Sequence, residues 1–421
     1  MTEEIHPAWS HSSNIYEVNI RQYTPEGTFV AFQKHLPRLK DMGVEILWFM
    51  PVTVISIHGR KGTLGSYYAV ADYKKINPEF GSIQDFTNLV EDAHRLGFKI
   101  IIDWVANHSG NDNVWIAEYP GFYEYDDQGQ IIHPNGWEDV SKLNYANNNM
   151  KVAMIDAMAY WIQQCNIDGF RCDMAHLVQL DFWEMAKASL HSVKPGLFWL
   201  AECEEPSYHK VFDATYTWKW MHACEEFCTR AISLPSLINT LNEYDQTFPP
   251  SAYRVYFTSN HDENSWNGTE YEKFGDAARL FAVFSCTWKG LPMIYSGQEL
   301  PNYKRLKFFD KDVIDWDNCN LHTFYKTLLS LRLVNPVFSA ANLLVTTTIL
   351  ETDQPDKIFL FKKNTSWHEC LIILNFSGEQ VIFQTTLSGN YEDIFNATSF
   401  KLDQNNAITM EAWSYLVLQK H

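Results

Sequence analysis

Nowhere in the 421-residue sequence does an uninterrupted apolar run approach the roughly 20 residues of a membrane-spanning helix, so a water-soluble chain is expected. The opening stretch, MTEEIHPAWSHSS, is acidic and polar and has no apolar segment of the kind that marks a secretory leader, which gives the expectation of a cytoplasmic protein. Positive charge is scarce: 33 Lys and Arg stand against 51 Asp and Glu, a formal net charge of −18. That balance argues against nucleic acid or an anionic membrane as partner and leaves a neutral or cationic ligand. The eight cysteines, at 165, 172, 203, 224, 228, 286, 319 and 370, lack the paired spacing of a metal site. Several sit inside apolar runs, where a thiol behaves as a small hydrophobe, and all are read as reduced. No long repeat or low-complexity tract is present, and no G-x-G-x-x-G follows the first strand-like run, which counts against a dinucleotide-binding fold.

Aromatic side chains are abundant, at 15% of the chain with 15 Trp and 21 Tyr. Each is by default a core residue, but such rings also stack on the apolar faces of sugars. Eight short apolar or β-branched runs recur at 15–20, 45–50, 99–105, 168–174, 197–203, 211–216, 254–260 and 291–297. Amphipathic helical patterns lie between most of them, for example 29–43, 82–97 and 149–165. Alternation of strand and helix implies parallel pairing with right-handed crossovers. Eight such units predict an α/β fold, a closed (β/α)8 TIM barrel. Two departures interrupt it. The connection 108–148 is long, polar and rich in Gly, Asn and Tyr, and reads as an inserted domain; beyond Pro336 the helical pattern gives way to strand runs, which reads as a β-sandwich. The expected division is therefore 1–107 and 149–335 for the barrel, 108–148 for the insert and 336–421 for a C-terminal all-β domain.

A barrel of this type carries its active site at the C-terminal ends of the strands, so the polar residues closing each run are the candidates. The third run supplies Asp103, Asn107 and His108, the fourth Arg171 and Asp173, the fifth Glu202, and the seventh Asn260, His261 and Asp262. Arg171 and Asp173 are two apart and share one face of a strand; alone, such a pair is a plain salt bridge. Several acids converging on one rim would repel each other unless the site has a use for them, and facing carboxyl groups are the machinery of glycosidic bond cleavage. Asp173, beside Arg171, is expected to stay ionised as the nucleophile. Glu202 follows Leu200 and Ala201 without an adjacent base, so desolvation is expected to raise it toward about 6, the range of a general acid. Asp262 is left to hold sugar hydroxyls with His261 and His108 as neighbouring donors.

The blocks DWVANH, GFRCDMAH, LAEC and TSNHDE, in that order, resemble the four sequence motifs of the α-amylase family of retaining glycoside hydrolases. GSYYAVADYKKINPEFGS matches the family's Tyr and Asp four residues apart at Tyr68 and Asp72, and YSGQE matches the end of its eighth strand. The resemblance covers nearly the whole chain. It implies a nucleophile at Asp173, an acid/base at Glu202 and a third carboxylate at Asp262. Arg171, His108 and His261 would line the subsite next to the scissile bond, with Tyr68 as its stacking platform. Asp103 would be a support residue and Asn107 a calcium ligand where calcium is present. The sequence departs from the family at His176 and Leu177, where Lys and His are common, at Lys142, where an acid is common, and in a first loop, RQYTPEGTF, without an Asp-rich calcium turn. No metal and no required cofactor is therefore expected, although structural calcium remains compatible with the resemblance. The short insert suggests an open cleft on that side. The activity implied is hydrolysis of α-1,4 bonds in starch or malto-oligosaccharides, the α-glucan being the partner; the oligomeric state is not legible. A 4-α-glucanotransferase of the same architecture, or an inactive amylase-like carbohydrate-binding protein, are the alternatives.

Overall fold

In the computed structural model residues 5–316, 319–403 and 407–420 are described; the first four residues of the stretch read for a leader lie outside them. Each of the eight apolar runs overlaps one strand of a closed parallel barrel: β1 (Ile15–Val18), β2 (Ile46–Phe49), β3 (Lys99–Trp104), β4 (Gly169–Cys172), β5 (Phe198–Ala201), β6 (Ala214–Tyr216), β7 (Tyr253–Tyr256) and β8 (Leu291–Tyr295). Consecutive strands are neighbours, and β8 closes on β1 with Met293 opposite Ile15. These strands are buried on both faces, which is why they read as continuous apolar runs rather than as alternating ones.

The helices follow their caps. Ser82 and Asp85 form a reciprocal capping box ahead of the helix Ile83–Arg95, whose Phe86, Leu89, Val90 and Ala93 face the barrel. Asn147 caps the helix Asn148–Cys165, and Asn166 ends it in the left-handed region at φ 56°. The pattern at 29–43 is two helices, Phe29–Gln33 and Leu36–Met42, rather than one. Pro37 lies in the first turn of the second helix, where its missing N–H costs nothing and where it marks a fresh start.

Two excursions rise from the C-terminal rim. After β2 the antiparallel strands Thr53–Ile55 and Val70–Ile76 form a hairpin that the sequence pattern did not announce. After β3, His108–Gly110 pairs antiparallel with Val140–Lys142 at the base of the insert. The C-terminal region is entirely antiparallel, with β9 (Thr346–Leu350), β10 (Ile358–Asn364), β11 (Glu369–Asn375), β12 (Val381–Gln384), β13 (Gly389–Asp393), β14 (Thr398–Leu402), β15 (Ala407–Met410) and β16 (Tyr415–Lys420). Six of these form one sheet in the order β9-β10-β11-β16-β13-β14, and β12 pairs with β15 alone. Alternation along β10 and β11 splits their side chains. Ile358, Leu360, Leu371 and Ile373 pack against Val381, Phe383 and Met410, whereas Phe359, Phe361, Ile372 and Leu374 join the core of the barrel. All eight cysteines are free thiols, and among the described residues no helix is long and apolar enough to cross a membrane.

Candidate active site

Parallel register sets the centre of the site. Asp103 on β3 is opposite Arg171 on β4, and Arg171 Nη1 donates to both oxygens of Asp103, at 2.9 and 3.2 Å. The same nitrogen donates to Asp173 Oδ1 at 3.2 Å, and Nη2 stands 2.8 Å from Glu202 Oε2, although its N–H directions miss that oxygen. One guanidinium thus serves three carboxyl groups. It is fully buried, covered by the Trp48 ring at 4.8 Å, and its Nε donates to the Tyr216 hydroxyl at 3.3 Å. Asp173 and Glu202 are each one residue past the end of a strand, where the chain is free to turn and aim them upward. Met174, next after Asp173, takes a left-handed conformation (φ 40°) and donates its backbone N–H to Glu202 Oε2 at 2.9 Å. A non-glycine residue held there stores strain of about 1–3 kcal/mol, and the hydrogen bond fixes the Glu202 carboxyl in return.

Glu202, with no base adjacent in sequence, has one in space: Arg171 comes closer to it than to Asp173. One expectation about charge is corrected. Asp173 is not held low. Burial pushes its carboxyl well above the usual carboxylate range, and the negative fields of Glu202, Asp103 and Asp262 add to that, outweighing Arg171. Asp103 is likewise pushed up by burial, to about 6, with Arg171 and His261 opposing. Asp103 and Asp173 thus both bind a proton more readily than free carboxylates, and the two titrate together rather than separately.

The third acid has a different setting. Burial acts upward on Asp262, but His261, with Nε2 3.3 Å from Oδ2, more than offsets it and holds the carboxyl below its ordinary value. His261 is itself gripped on its other side, where Nδ1 stands 2.5 Å from Glu17 Oε1 on β1. Burial opposes its charge, yet Asp262 and Glu17 raise it well above the ordinary histidine range, which favours the imidazolium between these two acids. The Tyr68 hydroxyl joins both halves of the site, 2.8 Å from His261 Nε2 and 3.1 Å from Asp103 Oδ2. Its ring lies nearly parallel to His261 and Phe308. His108 is pushed down to about 4 by burial and is neutral, with the Trp137 ring against it edge-on.

Asp173, Glu202, Asp262, Tyr68 and His108 all open onto one cavity of about 280 Å3 at the barrel's C-terminal rim. Arg171 and His261 lie behind its wall, holding the acids instead of lining the subsite. Asp72 faces away and pairs with Lys75 at 3.1 Å. Much of the remaining wall comes from Lys61, Trp137, Asp139, Trp266, Phe308 and Phe309. Lys61 and Asp139 form a 2.7 Å ion pair that ties the loop after the first hairpin strand to the insert. The cleft is therefore strapped on the side expected to be open; insert length says nothing about what reaches across to it. Glu17 escaped the sequence reading because it lies inside its apolar run, IYEVNI, rather than at its end. A lone acid flanked by Tyr16 and Val18 was the available signal.

The residues near Asn107 do not fit a calcium ion. Its amide Nδ2 is turned toward His108 Nδ1 at 3.2 Å, and Lys142, opposite His108 in register, brings a positive charge paired to Glu124. Among the described residues no group of three or more His, Cys, Asp or Glu is arranged to hold a metal.

Comparison with known proteins agrees with this geometry. The family described as "Alpha amylase, catalytic domain" matches residues 10–130 and 122–326. An alpha-amylase of Haloarcula japonica is 27% identical over 395 residues, covering 89% of this chain; the chain spans 56% of that protein's length. The intracellular maltogenic amylase of Bacillus subtilis is 25% identical, with 92% of this chain and 66% of its own length covered. Among solved structures, a maltogenic alpha-amylase from Thermotoga neapolitana superposes with a TM-score of 0.90 at 28% identity, over 98% of this chain and 99% of that one. An alpha-amylase from Lactobacillus plantarum gives 0.89 at 27% identity, over 98% and 100%. With the match running through every barrel strand and all four acid-bearing strand ends, the chain belongs to the alpha-amylase family.

Proposed function

We propose that the chain is a retaining glycosidase that cleaves α-1,4-glucosidic bonds in malto-oligosaccharides or starch by double displacement. The observation that carries this reading is the convergence of Asp173, Glu202 and Asp262 on one cavity whose remaining wall is largely aromatic. Asp173 attacks the anomeric carbon while Glu202 protonates the departing oxygen, and water activated by Glu202 then releases the sugar from Asp173. The first step needs the proton on Glu202 and Asp173 ionised, and Arg171, in contact with both carboxyls, favours loss of the proton from Asp173. Asp262, kept ionised by His261, accepts hydroxyl hydrogens that bind more tightly as the ring flattens toward an oxocarbenium ion. The route uses only these side chains and water. The names of the relatives, alpha-amylase and maltogenic amylase among them, support the substrate class.

The test is Glu202→Gln assayed on two substrates. Cleavage of maltoheptaose should fall by about 10²–10⁴-fold, the usual worth of a general acid, while an aryl maltoside with a good leaving group keeps much of its first-step rate. Equal loss on both would remove Glu202 from the acid role. Chains longer than the starting maltoheptaose, in the wild-type digest, would instead favour glucanotransfer.

A further inference from the structure

The opposite end of the barrel holds a second cavity of about 280 Å3, between the N-terminal ends of β7 and β8 and the C-terminal sheet. Its charged lining is Arg254, Lys289, Lys363 and Asp245. Lys363, on β10, is 3% exposed, and its Nζ donates at 3.0 Å to the backbone carbonyl of Trp288. Among the described residues no carboxylate pairs with it. Arg332 stands close behind, fully buried, with its Nη groups spent on the carbonyls of Cys286 and Gly290. Arg254 and Lys289 share the single acid, Asp245, at 2.9 and 2.5 Å, and Arg254 Nε and Nη1 are buried without a hydrogen-bond partner. Three basic side chains therefore meet one carboxylate at the cavity, with Arg332 behind them, in a chain of net charge −18.

That imbalance is costly as it stands. A buried ion without a counter-charge loses several kcal/mol of solvation, and chains normally bury ammonium groups only when they are paired. Burial, with Arg332 and Lys289 nearby, accordingly drives the Lys363 amine well below its usual range. A compact oxyanion would relieve this: it neutralises Lys363 and Lys289 and offsets the positive charge of Arg254, all three of which line the cavity. The volume lies just below the roughly 300–1,000 Å3 of drug-sized ligand pockets, which suits a small anion. We propose that this cavity binds a phosphate-type oxyanion, either free or as the phosphate ester of a small sugar. It lies at the end of the barrel away from Asp173 and Glu202 and is independent of the reaction assigned to them.

The experiment is calorimetric titration of the full chain with inorganic phosphate and, separately, with glucose 6-phosphate, at constant ionic strength set with sodium chloride. Saturable one-to-one binding of phosphate would identify the free anion; binding of the ester alone would identify the ester. In Lys363→Met, which removes a buried charge and so should fold at least as stably as the wild type, affinity should drop about tenfold or more. Lys289→Ala, at a partly exposed position, should weaken binding in the same direction. The proposal is overturned if neither compound binds in the millimolar range, if chloride at the same ionic strength competes equally, or if both variants bind as the wild type does.

Discussion

Replacing Glu17 by Gln isolates one charge at the centre of the site. The amide oxygen of Gln can still accept from His261 Nδ1, so packing and ring orientation survive while the negative charge goes. Glu17 Oε1 and Nδ1 are 2.5 Å apart in a fully buried setting. A hydrogen bond to a charged group is worth about 1.5–3 kcal/mol net and one to a neutral group about 0.5–1.5, so the exchange should weaken the hold on the His261 proton by about 1–1.5 kcal/mol. The wild-type histidine is held well above its ordinary value, so in the variant the alkaline limb of the kcat/KM profile should move to lower pH, while activity on the acid side of the limb changes less. Linkage gives a second readout. His261 has a raised folded-state pKa, so the stability it contributes is fully present below its unfolded value, about 6.5, and is lost as pH rises through the folded one. Glu17, pushed up chiefly by burial, also binds its proton more tightly when folded and acts in the same sense. Urea unfolding across the alkaline range should therefore show a flatter decline for Glu17→Gln than for the wild type. A folded variant with an unmoved alkaline limb and an unchanged slope would refute the idea that Glu17 keeps His261 charged and, through it, Asp262 ionised.

Arg171→Met should leave Asp103, Asp173 and Glu202 without their shared cation, costing roughly 3–5 kcal/mol by urea unfolding and abolishing turnover. Arg171→Lys should recover part of the stability but little activity, because one ammonium does not span three carboxyl groups as the guanidinium fork does. Gly169→Ala places a Cβ 2.0 Å from the Phe198 carbonyl oxygen on β5, opposite it in register, so the strands must part. Thermal unfolding should show a loss of about 3 kcal/mol or more, and activity should fall with it because Arg171 and Asp173 ride on the same strand.

The barrel was legible because its strands are short apolar runs closed by charged residues, and a charge at the end of such a run is a local signal. Asp103, Arg171, Asp173, Glu202 and Asp262 were all found that way. Quantities that depend on what is near in space were not. Asp173 has Arg171 two residues away in sequence, which suggested a low pKa; its other neighbours, Glu202, Asp103 and Asp262, come from three different strand ends and reverse the sign. The Lys61–Asp139 strap joins residues 78 positions apart in two irregular loops, where no periodicity exists to read. The C-terminal sheet shows the same limit: its long apolar strands were visible, whereas Gly389–Asp393 and Thr398–Leu402 each have only one face or one end buried and carry little apolar signal. Glu17 is the instructive case, since the signal was present and pointed inward. An acid inside a buried strand must be paired, and its partner has to be a cation that the same barrel encloses. Arg171 is already committed to three carboxyl groups, which leaves the histidine of TSNHDE, so the search for a site in a closed barrel gains by including charged residues within its strands as well as those at their ends.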